Sequence, residues 1–488
     1  MFWRGVFGYL PVQVVQGLAG FGALVAFTRL LTPEQYGQYA LALSVAALLH
    51  AGLLTWTEAA MERFHVRASE DGEAPTHLTT LHRAFGLLAT GGFVLTALVL
   101  TILPLEAGLK WAIAGAVLAS TLRSGLRLLQ GRRKAEGQVA AYAASDILFT
   151  AGGFGLGVLL AGLGWGPLAP SLGLAAAAAV VIVVGWRGEL RRSRGGRFEP
   201  ARARAYAAYG LPVSLSLMMA VVYSATDRFV IAMFLDPESV GAYHAAFGLA
   251  DRTLDILFIW LGLAGAPAVI AAFERSGEAA MRHAALAQAD IMVLVALPAA
   301  VGLGLVARPA AELLIGQELR HAAADLLPWV AAGGVIAGFK AYYLDQAFTL
   351  ARRPGLMMIG MGLTVGLNLV LSLVLTPRFG LQGAVIATTL SIAAGSVAAY
   401  AVGRRVLALP LPLAALLRCG AAAGAMGAAV SWLPDLGGAR ELLLKASVGG
   451  AVYAALVLLV DAAGARRAAL KLLRARRLRG ANPGLRPG

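Results

Sequence analysis

Arg123 and Arg127 stand four residues apart in an apolar stretch, and Gln130 follows three further on. On a helix that spacing puts all three on one face. Arginine offers a planar fork of donors that pairs with phosphate or carboxylate oxygens through two parallel N–H bonds, while lysine offers a point charge. A second set runs through His244, Gly248, Asp251 and Asp255, at i, i+4, i+7 and i+11, with Arg252 beside them. Lys340, Tyr342, Tyr343 and Asp345 form a third set, and Asp227 with Arg228 a fourth. Asp146, Asp290 and Asn368 stand singly among apolar neighbours. Cations in such places suit the binding of an anion. Carboxylates there suit the uptake and release of protons, because burial disfavours the charged form and two acids one turn apart, as Asp251 and Asp255 are, resist ionising together.

The surroundings of these residues say which solvent they meet. The chain of 488 residues is 59% hydrophobic and 14% charged, against roughly 25% charged residues in a soluble domain. A soluble protein this apolar would lack the polar surface to cover itself. Crossing the hydrocarbon takes about 20 helical residues, and fourteen apolar runs of that length lie between about residues 7 and 463. Alternating period-2 segments are absent from the pattern, which speaks against a membrane β-barrel. The expected fold is therefore an all-α polytopic membrane protein with about 14 transmembrane helices. The first run follows the N-terminus without a small-residue cleavage pattern, so it reads as a retained anchor rather than a signal peptide. Cys419 is the single cysteine; it reads as a buried space-filler.

A charge on a spanning helix costs at least about 2.5–3.5 kcal/mol at the helix centre, so such residues face a bundle interior or a water-filled cavity. The remaining charge sets orientation. With the N-terminus cytoplasmic, the inside segments hold 28 Lys and Arg and the outside loops six. Positive charge near span ends stays inside, so both termini are expected in the cytoplasm. The basic tail, 466–488, reads as a topology signal and a contact for anionic lipids rather than for nucleic acid. The longest loops, around 61–79 and 187–207, fall on the cytoplasmic side, leaving no room outside for a catalytic domain.

One turn occurs twice. LTPEQYGQY at 31–39 and LDPESVGAY at 235–243 share five of nine positions. Six helices separate the copies, so two halves of equal orientation are expected, related by an axis along the membrane normal as in many transporters. Within each copy the proline opens a helix, the glutamate favours its N-terminal dipole, the glycine permits close packing, and the tyrosine suits the membrane interface.

The stretch FTRLLTPEQYGQYAL (27–41) resembles the N-terminal signature of bacterial polysaccharide flippases, which belong to the multidrug/oligosaccharidyl-lipid/polysaccharide exporter superfamily. DRFVIAMFLDPESVGAY (227–243) resembles the start of their second lobe, and LTPRFGLQGAVIAT (375–388) the turn between their helices 11 and 12. The resemblance covers about residues 5–405. It implies an N-terminal lobe over 1–205 and a C-terminal lobe over 206–408, two six-helix bundles around a central cavity, with two appended helices at 409–465. It also implies a function: carrying undecaprenyl-diphosphate-linked sugars from the cytoplasmic to the periplasmic leaflet of the inner membrane. Arg123, Arg127, Arg252 and Lys340 are then the candidate ligands of the anionic headgroup. Asp146, Asp227, Arg228, Asp251, Asp255, Asp345 and Asn368 are the candidate polar or ion-coupling residues of the cavity. Other roles stay open: Arg252 balancing Asp251 and Asp255, Arg127 snorkelling to the cytoplasm, Asp227 and Arg228 locking the lobes. The lipid II flippases of the superfamily carry arginines on helices 1, 2 and 8. Here helix 8 has Arg252, Arg29 lies at the far end of helix 1 and helix 2 has none, which counts against lipid II.

Enzyme signatures are missing. The seven histidines are scattered, without metal-ligand spacing, and no cofactor is expected. The partners expected are the lipid-linked glycan, membrane lipids, and a polymerase and chain-length regulator of the same pathway; a monomer is the expected state. The competing readings are a lipid II or multidrug exporter of the same superfamily and, from another class, a membrane polysaccharide polymerase or ligase, which would need a substantial outside loop.

Overall fold

A computed structural model describes residues 2–467, with side chains from residue 10; the basic tail beyond lies outside the described residues. Among the described residues, twelve continuous helical segments are long and apolar enough to cross a membrane. Two of them, of 69 and 51 residues, each bend back at a glycine with φ of 77° (Gly277) and 61° (Gly380). That left-handed region is open to glycine at no steric cost, so each of the two holds a pair of spans and the total comes to fourteen. In chain order they are α1 (Phe2–Leu30), α2 (Pro33–Glu70), α3 (Ala74–Ile102), α4 (Ala107–Ala135), α5 (Val139–Gly162), α6 (Gly166–Arg192) and α7 (Pro200–Phe234). Then come α8 and α9 within Pro237–Leu305, α10 (Arg320–Leu350), α11 and α12 within Pro354–Arg404, α13 (Leu413–Ser431) and α14 (Gly438–Leu459). The chain is a multi-pass all-α membrane protein.

The expected cytoplasmic loops at 61–79 and 187–207 are mostly helix. α2 continues to Glu70 and α3 starts at Ala74, while α6 runs to Arg192 and α7 starts at Pro200. Charged residues there mark the ends of the apolar runs, but an α-helix does not end where hydropathy does.

The described residues form two compact units, each interleaved in sequence. Unit 1 takes the chain up to Gly248, then Leu314–Ala322 and Val365–Ala387; unit 2 takes Leu249–Leu313, Ala323–Thr364 and the chain from Thr388 onward. In unit 1, Trp56, Met61, Leu78, Leu81, Leu128 and Tyr206 join α2, α3, α4 and α7 in one apolar core. Small residues bring helices close in the same unit: a Cβ on Gly173 of α6 would lie 2.3 Å from the Gly157 nitrogen of α5, the small-residue packing typical of membrane bundles. In unit 2, α9 packs with α13 and α14 through Val293, Met426, Val430 and Val457. Cys419 is fully buried in that core.

Among the described residues two spans carry a π-helical segment, His50–Leu54 in α2 and Lys340–Leu344 in α10. Such segments are rare and frequent at functional sites. Both sit beside ionisable residues.

Candidate functional site

In unit 1 the polar face of α4 is where the candidate residues meet. Arg123, Ser124, Arg127 and Gln130 succeed one another down it. Gln130 Nε2 donates to Asp146 Oδ1 at 3.2 Å, and Gln16 Nε2 of α1 donates to Asp146 Oδ2 at 2.7 Å. The lone acid on α5 is thus buried, at 5% exposure, with both oxygens satisfied by neutral amides. One turn on, Arg127 Nη1 lies 3.2 Å from Glu58 Oε2 and keeps 40% of its side chain exposed. Arg123 is half-buried, its guanidinium carbon 4.8 Å from the centre of the Phe149 ring, a cation–π contact. Both arginines are ordered by neighbours while remaining accessible.

His50 and Glu58, which sequence spacing does not single out, complete the cluster. His50 Nε2 lies 2.8 Å from Glu58 Oε1, and Ser124 Oγ donates to the same oxygen at 2.5 Å. In a regular helix, residues seven apart nearly share a face and residues eight apart do not. A π turn takes one extra residue, so across His50–Leu54 a spacing of eight behaves as seven. The His50 carbonyl accepts from both the backbone N–H and the Oγ1 of Thr55, which anchors the wide turn. The residue types give a signal, a histidine and a glutamate in one span. The π turn that aligns them leaves none.

Below this cluster, Arg132 is buried and pairs with Glu189 of α6 at 2.7 Å and with Glu136 at 2.5 Å. Glu136, in the turn between α4 and α5, is partly buried, which raises a carboxyl pKa. The hydrogen bond and charge of Arg132, with His65 and Arg192, outweigh this and hold it below the usual carboxylate range.

The two copies of the repeated turn touch each other. Thr32 caps α2 by accepting from Gln35 N–H, and the Gln35 side chain accepts from Thr32 N–H in return, a capping box. Asp236 caps α8 by accepting from Ser239 N–H at 2.7 Å. Pro33 and Pro237 open the two helices. A Cβ on Gly37 would fall 1.6 Å from the Pro237 carbonyl oxygen, and one on Gly241 would fall 2.8 Å from that of Pro33. The contact is reciprocal: each glycine of one copy receives the proline carbonyl of the other. The tyrosines differ from expectation. Tyr39 and Tyr243 are buried rather than placed at an interface, and the Tyr243 hydroxyl donates to Asp227 Oδ2 at 2.5 Å.

That carboxylate is a hub. Asn368 Nδ2 and Ser372 Oγ, both on α11, each donate to Asp227 Oδ1 at 2.9 Å, so Asp227 joins α7, α8 and α11. Arg228 Nη1 reaches Ser44 Oγ of α2 at 3.1 Å. His244, first of the expected polar face of α8, packs tilted against Tyr36, 5.5 Å between ring centres.

In unit 2, Lys340 Nζ lies 2.9 Å from Asp345 Oδ2, and both side chains are largely buried. The expected headgroup ligand is here one half of an ion pair. Asp251 and Asp255 are exposed on α8, and Arg252 is half-buried beside them. Tyr343 donates to the Pro410 carbonyl at 2.5 Å, and Asp290 is half-buried on α9. Among the described residues no group of three His, Cys, Asp or Glu is placed to hold a metal ion.

Known proteins bear on this arrangement in two ways. In fold, the chain is similar to a lipid II flippase MurJ in an inward closed conformation, with a TM-score of 0.73 at 11% identity over 92% of this chain and 98% of that one. It is similar also to an inward-facing multidrug resistance MATE transporter of the MOP superfamily, with a TM-score of 0.62 at 16% identity over 80% and 93%. A third likeness is to a MOP superfamily transporter from Pyrococcus furiosus, with a TM-score of 0.51 at 14% identity over 82% and 93%. No curated protein matches. In sequence, the model of a family described as polysaccharide biosynthesis protein matches residues 26–324, a stretch that takes in both copies of the turn and the whole α4 face. That match covers more than half of the chain's length, and the chain belongs to the polysaccharide biosynthesis protein family.

Proposed function

We propose that this protein carries undecaprenyl-diphosphate-linked oligosaccharide units from the cytoplasmic to the periplasmic leaflet of the inner membrane, by alternating access of two six-helix lobes over 1–205 and 206–408. The observation that carries this reading is the pair of accessible arginines on α4, within the stretch matched by the polysaccharide biosynthesis family. A diphosphate needs planar, bidentate donors, and a site inside a span needs counter-charges while it is empty. Glu58 supplies one to Arg127. The MurJ likeness supports a transporter architecture for the task, and short connections leave little outside the spans to do chemistry. Arg252, exposed Asp251 and Asp255, and the Lys340–Asp345 pair belong to the same reading as contributions from unit 2. Both termini are cytoplasmic in it, and the product passes to a polymerase and its chain-length regulator.

The test is flipping of a lipid-linked oligosaccharide in proteoliposomes, alongside surface polysaccharide in cells. Arg127→Ala and Arg123→Ala should each lower flipping by about tenfold or more, the loss of one charge-assisted pair, while protein level holds. Lysine should rescue in part, since charge survives without the bidentate fork. Full flipping in both alanine variants would end this assignment. Equal rates for lipid II would favour the cell-wall reading instead.

A further inference from the structure

One atom in the α4 cluster has two incompatible neighbours. His50 Nε2 lies 2.8 Å from the carboxylate oxygen Oε1 of Glu58 and 3.2 Å from Nη1 of Arg127. A guanidinium only donates and a carboxylate only accepts. To satisfy Arg127 the nitrogen must present its lone pair; to satisfy Glu58 it must carry a proton. It serves one at a time.

Charge balance sets the outcome of each protonation state. With His50 neutral, the single negative charge of Glu58 balances Arg127, whose Nη1 bonds Glu58 Oε2 at 3.2 Å. When His50 takes a proton from water, a second cation stands against the same carboxylate. Glu58 then balances the imidazolium, and the exposed guanidinium beside it is repelled and left without a counter-charge. The other charged or titratable groups facing the cluster are Arg123 on α4 and, beyond it, Asp146 and Tyr142 on α5. Asp146 is engaged by Gln16 and Gln130. From α3 and α7, the residues at this level are apolar or small: Leu88, Ala89 and Gly92, and Met218 against Gly52. Among the described residues, Glu58 is the acid that contacts both cations, His50 through Oε1 and Arg127 through Oε2.

We propose that His50 is a proton-operated switch that decides whether Arg127 is held by Glu58 or offered to a diphosphate. Histidine suits the task, since its ordinary titration lies near neutral pH. The linkage is reciprocal: a diphosphate on Arg127 draws negative charge to the site and favours the proton on His50 to the same extent. Substrate and proton then load together. This inference rests on the flippase reading for its ligand.

The test uses the full-length protein in lipid nanodiscs, with farnesyl diphosphate as probe, from about pH 5.5 to 8.5, a range that brackets the ordinary histidine titration. His50→Gln is the reference, because glutamine accepts from Arg127 and donates to Glu58 at once and holds the closed arrangement at every pH. The ratio of dissociation constants, His50→Gln over wild type, cancels the titration of the probe itself. It should rise about tenfold as pH falls across the range. In Glu58→Gln, which frees Arg127 throughout, the ratio of dissociation constants, His50→Gln over Glu58→Gln, should be high already at the alkaline end and vary less with pH than the ratio over wild type, with binding as tight as that of wild type at the acid end. A constant ratio would overturn the switch while leaving the transport reading intact. If farnesyl diphosphate does not bind at any pH, the transport reading loses its ligand, and modification of Arg127 by phenylglyoxal, read by peptide mass spectrometry, decides the switch alone. There the rate ratio of wild type to His50→Gln should climb as pH falls, and a flat ratio would overturn it. Should His50→Gln fail to fold, His50→Asn serves as the same reference.

Discussion

Asp227 and Arg127 show how differently two charged side chains within spans can be used. Asp227 is buried and takes hydrogen bonds from Tyr243, Asn368 and Ser372. Replacing it with alanine strands three buried donors, each at a cost of about 1–3 kcal/mol. We expect Asp227→Ala to lower the thermal unfolding temperature in detergent by several degrees, with Asp227→Asn losing less, and Asn368→Ala to add little once Asp227 is gone. Unchanged unfolding of Asp227→Ala would show that these bonds form no structural hub. Arg127, with 40% of its side chain exposed, should respond the other way, with transport falling and unfolding nearly unmoved. Sequence spacing identifies both residues as polar groups in apolar runs. It cannot separate their roles, because the partners of Asp227 on α11 lie 141 and 145 residues away, beyond any helical period.

At the scale of the element, caps and turns carry their own signal. Proline at the start of a helix, a side-chain acceptor just before it and a glycine that must bend the chain are local requirements, and Thr32, Asp236, Gly277 and Gly380 meet them. The π segments carry none, because no residue type demands an extra residue in a turn; this is why no helical period pairs Glu58 with His50. The reciprocal turn gives a sharp expectation. A methyl at Gly37 would lie 1.6 Å from a backbone oxygen, which has no side-chain freedom to withdraw, whereas a methyl at Gly155 meets nothing within 4 Å. Overpacking costs about 1–3 kcal/mol and more where backbone must move. Gly37→Ala should therefore reduce folded yield in detergent severalfold, Gly241→Ala less, and Gly155→Ala not at all. Wild-type yield for Gly37→Ala would mean that the two copies do not meet this closely in the membrane. The pair should be non-additive, since both changes push apart the same two backbones.

For the whole molecule, the placing of spans was legible because hydrocarbon thickness sets a length that composition cannot disguise; the joining of stretches distant in sequence, such as Val365–Ala387 with the chain up to Gly248, was not, because it depends on contacts that no local pattern records. Reporter fusions test the orientation. Signals at Asp71, Gly195 and the C-terminus should read cytoplasmic, and those at Pro237 and Asp435 should read external. An external signal at Gly195 would break the equal orientation of the two halves. The interleaving of unit 1 also has a consequence for how the protein is made. Its last strip, Val365–Ala387, ends 139 residues after Gly248, about 7–30 s of synthesis at ribosomal rates. Through most of that interval Asp227 sits in a nascent chain without Asn368 or Ser372, and for about its first half Thr28 lacks the Gly316 N–H from which it later accepts. The early helices must wait, inserted but unfinished, for the late ones. A chain stopped at Gly248 should be cleared by membrane proteases, one stopped just after Arg405 should persist, and pulse-chase half-lives of the two would reveal the wait.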